Sequence, residues 1–138
     1  MLKGMSMLAF VAALGSLLPG APISAQEDKP YSVVDGKVDR ATYNGYRRYG
    51  DACLRCHGPD GAGGSYAPDL TASLKQLSYE EFAEVVINGR QNLGAGQEKV
   101  MPAFGHVEDV AMYIDDIYAY LKARSDGVVG RGRPQRQQ

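Results

Sequence analysis

The sequence predicts an all-α fold, helices and long loops wrapped around one bound group, and three observations predict it. Apolar and small residues recur at helical spacing in three separate stretches. Between them lie glycine- and proline-rich segments that are too long for a small domain unless they enclose something. The first helical stretch also ends in Cys53-Leu54-Arg55-Cys56-His57, two thiols and an imidazole held close together.

The elements follow in order. Residues 26–38 read as an extended lead-in. Asp39 caps a first helix whose inward stripe is Thr42, Gly45, Tyr46, Tyr49, Ala52, Cys53 and Cys56. Glycine inside a helix costs about 1 kcal/mol relative to alanine, so Gly45 needs a packing reason, which close approach of another helix supplies. From Gly58 to Leu77 the chain is loop: Gly58-Pro59-Asp60-Gly61 is turn chemistry, and Gly63-Gly64 lets backbone run beside a bulky group. Ser78 opens a second helix, with Glu81 completing a capping box and Gly89 at the stop; Tyr79, Phe82, Val85 and Val86 face inward. Residues 90–105 read as another loop, containing Met101-Pro102-Ala103-Phe104-Gly105. A final helix carries Val107, Val110, Ala111, Ile114, Ile117, Tyr118 and Leu121 on one side, with Glu108, Asp109, Asp115 and Asp116 toward water.

The Cys53–His57 segment has the pattern of a covalent haem attachment site. Two thiols add across the haem vinyl groups and the adjacent imidazole becomes an axial iron ligand. Residues three and four apart share a helix face, so Cys53, Cys56 and His57 reach the same side. A zinc half-site needs further thiols or imidazoles, and the chain offers only His106 besides these. A thioredoxin-type pair needs a βαβ context, and no strand-like alternation precedes the motif.

The amino end reads as a secretory signal peptide, residues 1–25. Lys3 precedes an uncharged apolar run from Met5 to Leu18, and Ile23-Ser24-Ala25 offers small residues for cleavage. That run is shorter than the roughly 20 residues needed to span a bilayer, so no stable membrane insertion is expected. Removing 25 residues from 138 leaves 113, one small domain whose limited core a buried porphyrin would extend. The domain is expected at residues 26–127, followed by a flexible basic tail, 128–138, with Arg131, Arg133 and Arg136 among glycines. Without Lys3, 14 of the 15 Lys+Arg face 16 Asp+Glu, a net charge of about −2 that gives nucleic-acid binding no support.

With His57 on one side of the iron, a distant segment must supply the other side. Beyond the signal peptide the candidates are Met101, Met112 and His106. Met112 falls off the apolar stripe of the last helix. Met101 precedes Pro102, which disfavours helical geometry and holds it extended, with Val100 and Phe104 beside it to exclude water. Met101 is the expected ligand, His106 the alternative and an open position the third reading. A thioether favours ferrous iron and raises the potential relative to two imidazoles, and two filled positions favour electron transfer over catalysis.

At this point the pattern resembles the class I cytochromes c over nearly the whole chain after the signal peptide. Gly45 and Tyr49 match the family's glycine and aromatic on the N-terminal helix, and Tyr120-Leu121 its aromatic-leucine pair on the C-terminal helix; the resemblance implies that Tyr120 packs against Gly45. Cys53, Cys56 and His57 match the attachment site, and Met101 the distal methionine. Ala67-Pro68-Asp69-Leu70 resembles the loop whose proline carbonyl accepts the axial histidine's Nδ1 proton, a bond that orients the ring and raises its basicity; an ordinary turn proline is the other reading of Pro68.

Several segments are similar to one branch of that family: Tyr43–Tyr49, Val86–Arg90, Val100–Gly105, Asp115–Arg124 and Arg131–Pro134. The resemblance implies a soluble periplasmic one-electron carrier with one covalent haem c. The donor would be a PQQ-dependent alcohol or methanol dehydrogenase, and the acceptor a downstream cytochrome or terminal oxidase. An enzyme is not expected. The competing readings are a small peroxidase-like haem protein and a gas-binding sensor with a labile distal ligand.

Overall fold

The computed structural model describes residues 28–94 and 97–138, so the expected signal peptide lies outside the described residues. The lead-in is a small hairpin. Strands β1 (Val33–Val34) and β2 (Lys37–Val38) pair antiparallel across Asp35-Gly36, whose φ values of 50° and 72° give the turn a twist that suits adjacent strands.

Asp39 caps α1 (Arg40–Ala52): one carboxylate oxygen accepts the Thr42 N–H at 2.9 Å and the other the Ser32 N–H at 2.6 Å. The helix buries Thr42, Gly45 and Tyr49. A short α2 (Leu54–His57) continues it, and a single 3-10 turn follows at Pro59–Gly61. The loop expected from Gly58 to Leu77 also holds α3 (Leu70–Ser73), capped by Asp69, which accepts from Thr71 N–H at 2.7 Å and Ala72 N–H at 3.2 Å. Helix α4 (Tyr79–Asn88) has the expected capping box: Ser78 N–H donates to the Glu81 carboxylate at 2.8 Å and Glu81 N–H to Ser78 Oγ at 3.2 Å. Gly89 ends it, and Phe82 and Val86 are its buried residues.

The segment expected as loop at 90–105 contains a hairpin, β3 (Arg90–Gly94) with β4 (Gln97–Met101), in the register Arg90↔Met101. Backbone groups make that ladder, and Arg-Gln-Asn-Leu-Gly opposite Gln-Glu-Lys-Val-Met shows no clear apolar alternation by which to foresee it. The single final helix is two, α5 (Glu108–Met112) and α6 (Ile114–Ser125), broken at Tyr113 (φ −114°, ψ 26°). In α6 every residue from Ile117 to Leu121 is buried, so it is a core helix and not a one-sided surface helix. Asp116, expected to face water, is half-buried and accepts the Asn44 side-chain N–H at 2.7 Å.

Helices α1 and α6 cross at Gly45. A Cβ there would stand 1.8 Å from the Asp116 carbonyl oxygen, so the glycine lets the backbone of α6 pass. Tyr120 packs at this crossing on the Tyr46 and Tyr49 rings of α1, with centroids 5.5 and 5.7 Å away. Around this crossing Leu74, Phe82, Val86, Val110 and Leu121 complete the core.

Residues 128–138, expected as a flexible tail, are a docked strap. Val129 is buried in the core, and β5 (Gln135–Arg136) pairs parallel with β2, giving a sheet ordered β1-β2-β5. Arg124 donates to the Val129 carbonyl at 2.7 Å, Gly132 N–H to Asp60 at 2.9 Å and Gln137 N–H to the Val38 carbonyl at 2.9 Å. Composition suggested mobility, but the partners that fix the strap are distant in sequence and leave no local signal.

Candidate functional site

The expected site residues stand on three segments. Cys53 ends α1 and is partly buried, Cys56 is exposed on α2, and His57 closes α2 with 7% of its surface accessible. The two cysteines are not joined in a disulfide. Burial, with Cys56 nearby, pushes the Cys53 thiol up to about 11, so without haem it stays protonated at neutral pH.

The imidazole is held from the side away from any ligand. His57 Nδ1 lies 3.1 Å from the Pro68 carbonyl oxygen, which can only accept, so Nδ1 carries the proton and Nε2 is left for a metal. Two further bonds hold the Pro68 loop there: Gly63 N–H donates to the His57 carbonyl at 2.8 Å and Gly64 N–H to the Ala67 carbonyl at 3.0 Å. The bulky neighbour expected at Gly63-Gly64 is here the loop's own backbone. A Cβ at Gly63, φ 78°, would lie 2.6 Å from the Asp69 nitrogen.

Sequence reading missed how the turn after His57 is clamped. The Tyr49 hydroxyl donates to the Gly58 carbonyl at 2.5 Å and accepts the Gly61 N–H at 3.0 Å, bridging the turn from α1. Burial pushes the ionisation of that hydroxyl up to about 12, so the bridge is neutral across the physiological range. Asp60, buried and at φ 61°, receives Arg124 Nε on its carbonyl at 3.2 Å and the strap's Gly132 and Arg131 on its carboxylate. Asp60 was legible only as a turn residue, because its partners come from the far end of the chain.

Met101 is the last residue of β4 and is half-buried, packed against the core. The loop beyond it is pinned to α4, with Phe104 N–H on the Val86 carbonyl at 2.9 Å and Gly105 N–H on the Ile87 carbonyl at 3.1 Å. Met112 is 60% exposed, and His106 is exposed as well.

These residues fit a haem. The donor set pairs two thiols with one imidazole whose Nδ1 is already committed, leaving a single nitrogen for iron. Leu54, Tyr66 and Val100, large apolar side chains on the attachment helix, the glycine loop and the hairpin, are exposed, apolar surface of the kind a macrocycle covers. Fold and site together define a helical domain built around a covalently attached haem.

Comparison with known proteins gives the family. A family model described as cytochrome C oxidase, cbb3-type, subunit III matches residues 40–121. Cytochrome c-553I of Paracoccus denitrificans is 47% identical over 112 residues, 80% of this chain and 50% of its own length, so the chain spans half of that relative. Cytochrome c-555 of Methylococcus capsulatus is 40% identical over 127 residues, 91% of each chain. The crystal structure of the c-type cytochrome XoxG from Methylobacterium extorquens AM1 superposes with a TM-score of 0.70 at 43% identity, covering 83% of this chain and 76% of that one. The chain belongs to the class I c-type cytochromes. Membership implies covalently attached haem c, and Cys53, Cys56 and His57 fit its CxxCH motif. Among the described residues, no helix is long and apolar enough to cross a membrane.

Proposed function

We propose that this cytochrome is a periplasmic one-electron carrier with His57 and Met101 as axial ligands. Its donor is a PQQ-dependent alcohol or methanol dehydrogenase, and its acceptor is a downstream cytochrome or a terminal oxidase. The observation that carries the ligand assignment is the contrast between the two methionines. Met101 is half-buried on a segment tied to α4, whereas Met112 is 60% exposed on α5. Bound haem supplies iron that cycles between ferric and ferrous. The chain does the rest: Pro68 orients the His57 ring and Met101 offers a soft uncharged thioether, while Val100, expected to shield it, is exposed on the strand's other face. Holding both ligands through the cycle keeps reorganisation small. The donor rests on the resemblance of Tyr43–Tyr49, Val86–Arg90, Val100–Gly105, Asp115–Arg124 and Arg131–Pro134 to cytochromes that serve such dehydrogenases, and periplasmic placement on the signal-peptide pattern read in residues 1–25.

Two measurements test this. The oxidised protein is expected to show the weak near-infrared band of methionine-ligated ferric haem. Met101→His should abolish that band and lower the potential, while Met112→Ala should leave both unchanged. A band that survives in Met101→Ala overturns the assignment. For the donor, stopped-flow reduction by a purified quinoprotein alcohol dehydrogenase is expected to outpace reduction by an unrelated dehydrogenase. Equal rates would discard the partner while leaving the carrier intact.

A further inference from the structure

Docking of the strap creates a surface that the electron-transfer reading does not use. Arg136 of β5 meets Arg40 and Arg47 of α1 around a groove of about 440 Å³, with Tyr43 and Tyr113 among its walls. Arg133 and Arg136 lie over the Tyr43 ring, 5.6 and 5.8 Å from its centroid, and Arg133 Nε donates to the Tyr43 hydroxyl at 2.8 Å. Among the described residues, none of Arg40, Arg47, Arg133 and Arg136 has a carboxylate within ion-pair distance, unlike Arg48, Lys29, Lys122 and Arg131. Asp116 is the one carboxylate lining the groove, and Asn44 already donates to it at 2.7 Å. A chain with formal net charge −1 thus places three guanidinium groups without an ion-pair partner, Arg40, Arg47 and Arg136, around one groove, with Arg133 beside them on Tyr43.

We infer that this groove is a binding site for an acidic segment of a partner protein. Planar guanidinium forks match carboxylates two bonds at a time, and stacking on Tyr43 fixes two of them before any ligand arrives, which reduces the ordering cost of binding. The shape decides between anionic partners. The cations line a hollow large enough for several side chains, whereas a lipid surface calls for a flat or convex basic face. A second copy of this chain would meet the groove through an unlike surface, a contact that polymerises instead of closing. Position gives the role: Arg40 lies 13 residues before Cys53, about 20 Å along the helix at 1.5 Å per residue. A partner seated here is tethered while the haem attachment face stays open for electron exchange. The inference does not depend on which dehydrogenase donates.

The test uses the haem-loaded full-length protein in 0.1 M salt, titrated with a short oligoglutamate peptide and followed by backbone amide shifts. Inorganic phosphate and vesicles of phosphatidylglycerol in phosphatidylcholine are titrated in parallel. The peptide is expected to shift amides of Arg40, Tyr43, Arg47 and Arg136. Arg40→Gln/Arg47→Gln should weaken it about tenfold, while the equal charge change Lys75→Gln/Lys99→Gln should weaken it about twofold or less. The haem spectrum should be the same in all variants. Equal weakening by the two double variants would reduce the effect to bulk charge and overturn the site. So would phosphate saturating the same amides more tightly than the peptide, or vesicle binding that depends on Arg40 and Arg47 while peptide binding does not.

Discussion

Asp60 and Gly132 are 72 residues apart, yet the Asp60 carboxylate accepts the Gly132 backbone N–H at 2.9 Å, and this bond ties the C-terminal strap to the turn that follows His57. The second carboxylate oxygen faces Arg131 Nε at 3.4 Å, with the Asp60 side chain only 10% exposed. Asp60→Ala should therefore lower the unfolding free energy of the haem-loaded protein by about 0.5–1.5 kcal/mol, the net contribution of such a bond, because the donors it leaves on Gly132 and Arg131 can turn to water. Asp60→Asn should cost less, since asparagine keeps an acceptor oxygen and tolerates φ 61°. Deleting residues 131–138 removes these bonds together with the β5–β2 pairing and should destabilise more than Asp60→Ala in guanidinium titrations. A truncated protein as stable as the full chain would mean that the strap is undocked in solution.

Two glycines of α1 should respond to alanine with opposite signs. Alanine is favoured over glycine in helix interiors by about 1 kcal/mol. At Gly50 a Cβ meets nothing within 4 Å, so Gly50→Ala should raise stability by up to that amount. At Gly45 the Cβ would overlap the Asp116 carbonyl at 1.8 Å, so α1 and α6 must separate and the propensity gain is overwhelmed. Gly45→Ala should cost about 1–3 kcal/mol, as overpacked cores do. Thermal unfolding of the pair checks both signs at once.

What the sequence made legible was chemistry carried by side chains at fixed local spacing. Asp39, Ser78 with Glu81, and Gly89 mark helix ends because capping is settled within a few residues, and all three stand where spacing predicts. The attachment motif is legible for the same reason. What stayed hidden is made by backbone groups meeting across the chain. The β3–β4 hairpin before Met101, the strap on β2 and the Tyr49 bridge to Gly58 and Gly61 have no local pattern. Gly45 was read correctly as a crossing point, and the atom a Cβ there would strike first is the Asp116 carbonyl oxygen. Which atom fills a gap is decided by helix rotation, and periodicity fixes that only coarsely.

Asp39 gives a pH dependence with a definite sign. Burial acts to raise its carboxyl, but hydrogen bonds from Thr42, Ser32 and Ala41 outweigh it and hold the group below the ordinary carboxylate value. A depressed folded-state value contributes stability that is present above the unfolded value of about 3.9 and is lost as pH falls through the lower folded value. Unfolding midpoints of the wild type should therefore drop more steeply below about pH 4 than those of Asp39→Ala. At pH 7 the variant should already be weaker by about 1 kcal/mol from loss of the cap. Parallel acid profiles in the two proteins would remove Asp39 from the account.

Tyr49 offers the complementary test at the alkaline end. Its hydroxyl bridges the Gly58 carbonyl and the Gly61 N–H, and burial pushes its ionisation up to about 12. A raised folded-state value contributes stability that is complete below the unfolded value of about 10 and is lost as pH rises toward 12. Tyr49→Phe keeps the ring against Tyr120 but removes both bonds, leaving a buried donor and acceptor next to His57 without partners. It should cost about 1–3 kcal/mol at pH 7 and lose the wild type's extra sensitivity between pH 10 and 12. Because the bridge braces the turn that follows His57, the variant should also loosen the His57–Pro68 hydrogen bond, read as a shift of the Nδ1 proton resonance in the haem-loaded protein. An unmoved resonance together with the stability loss would confine Tyr49 to packing and exclude it from orienting His57.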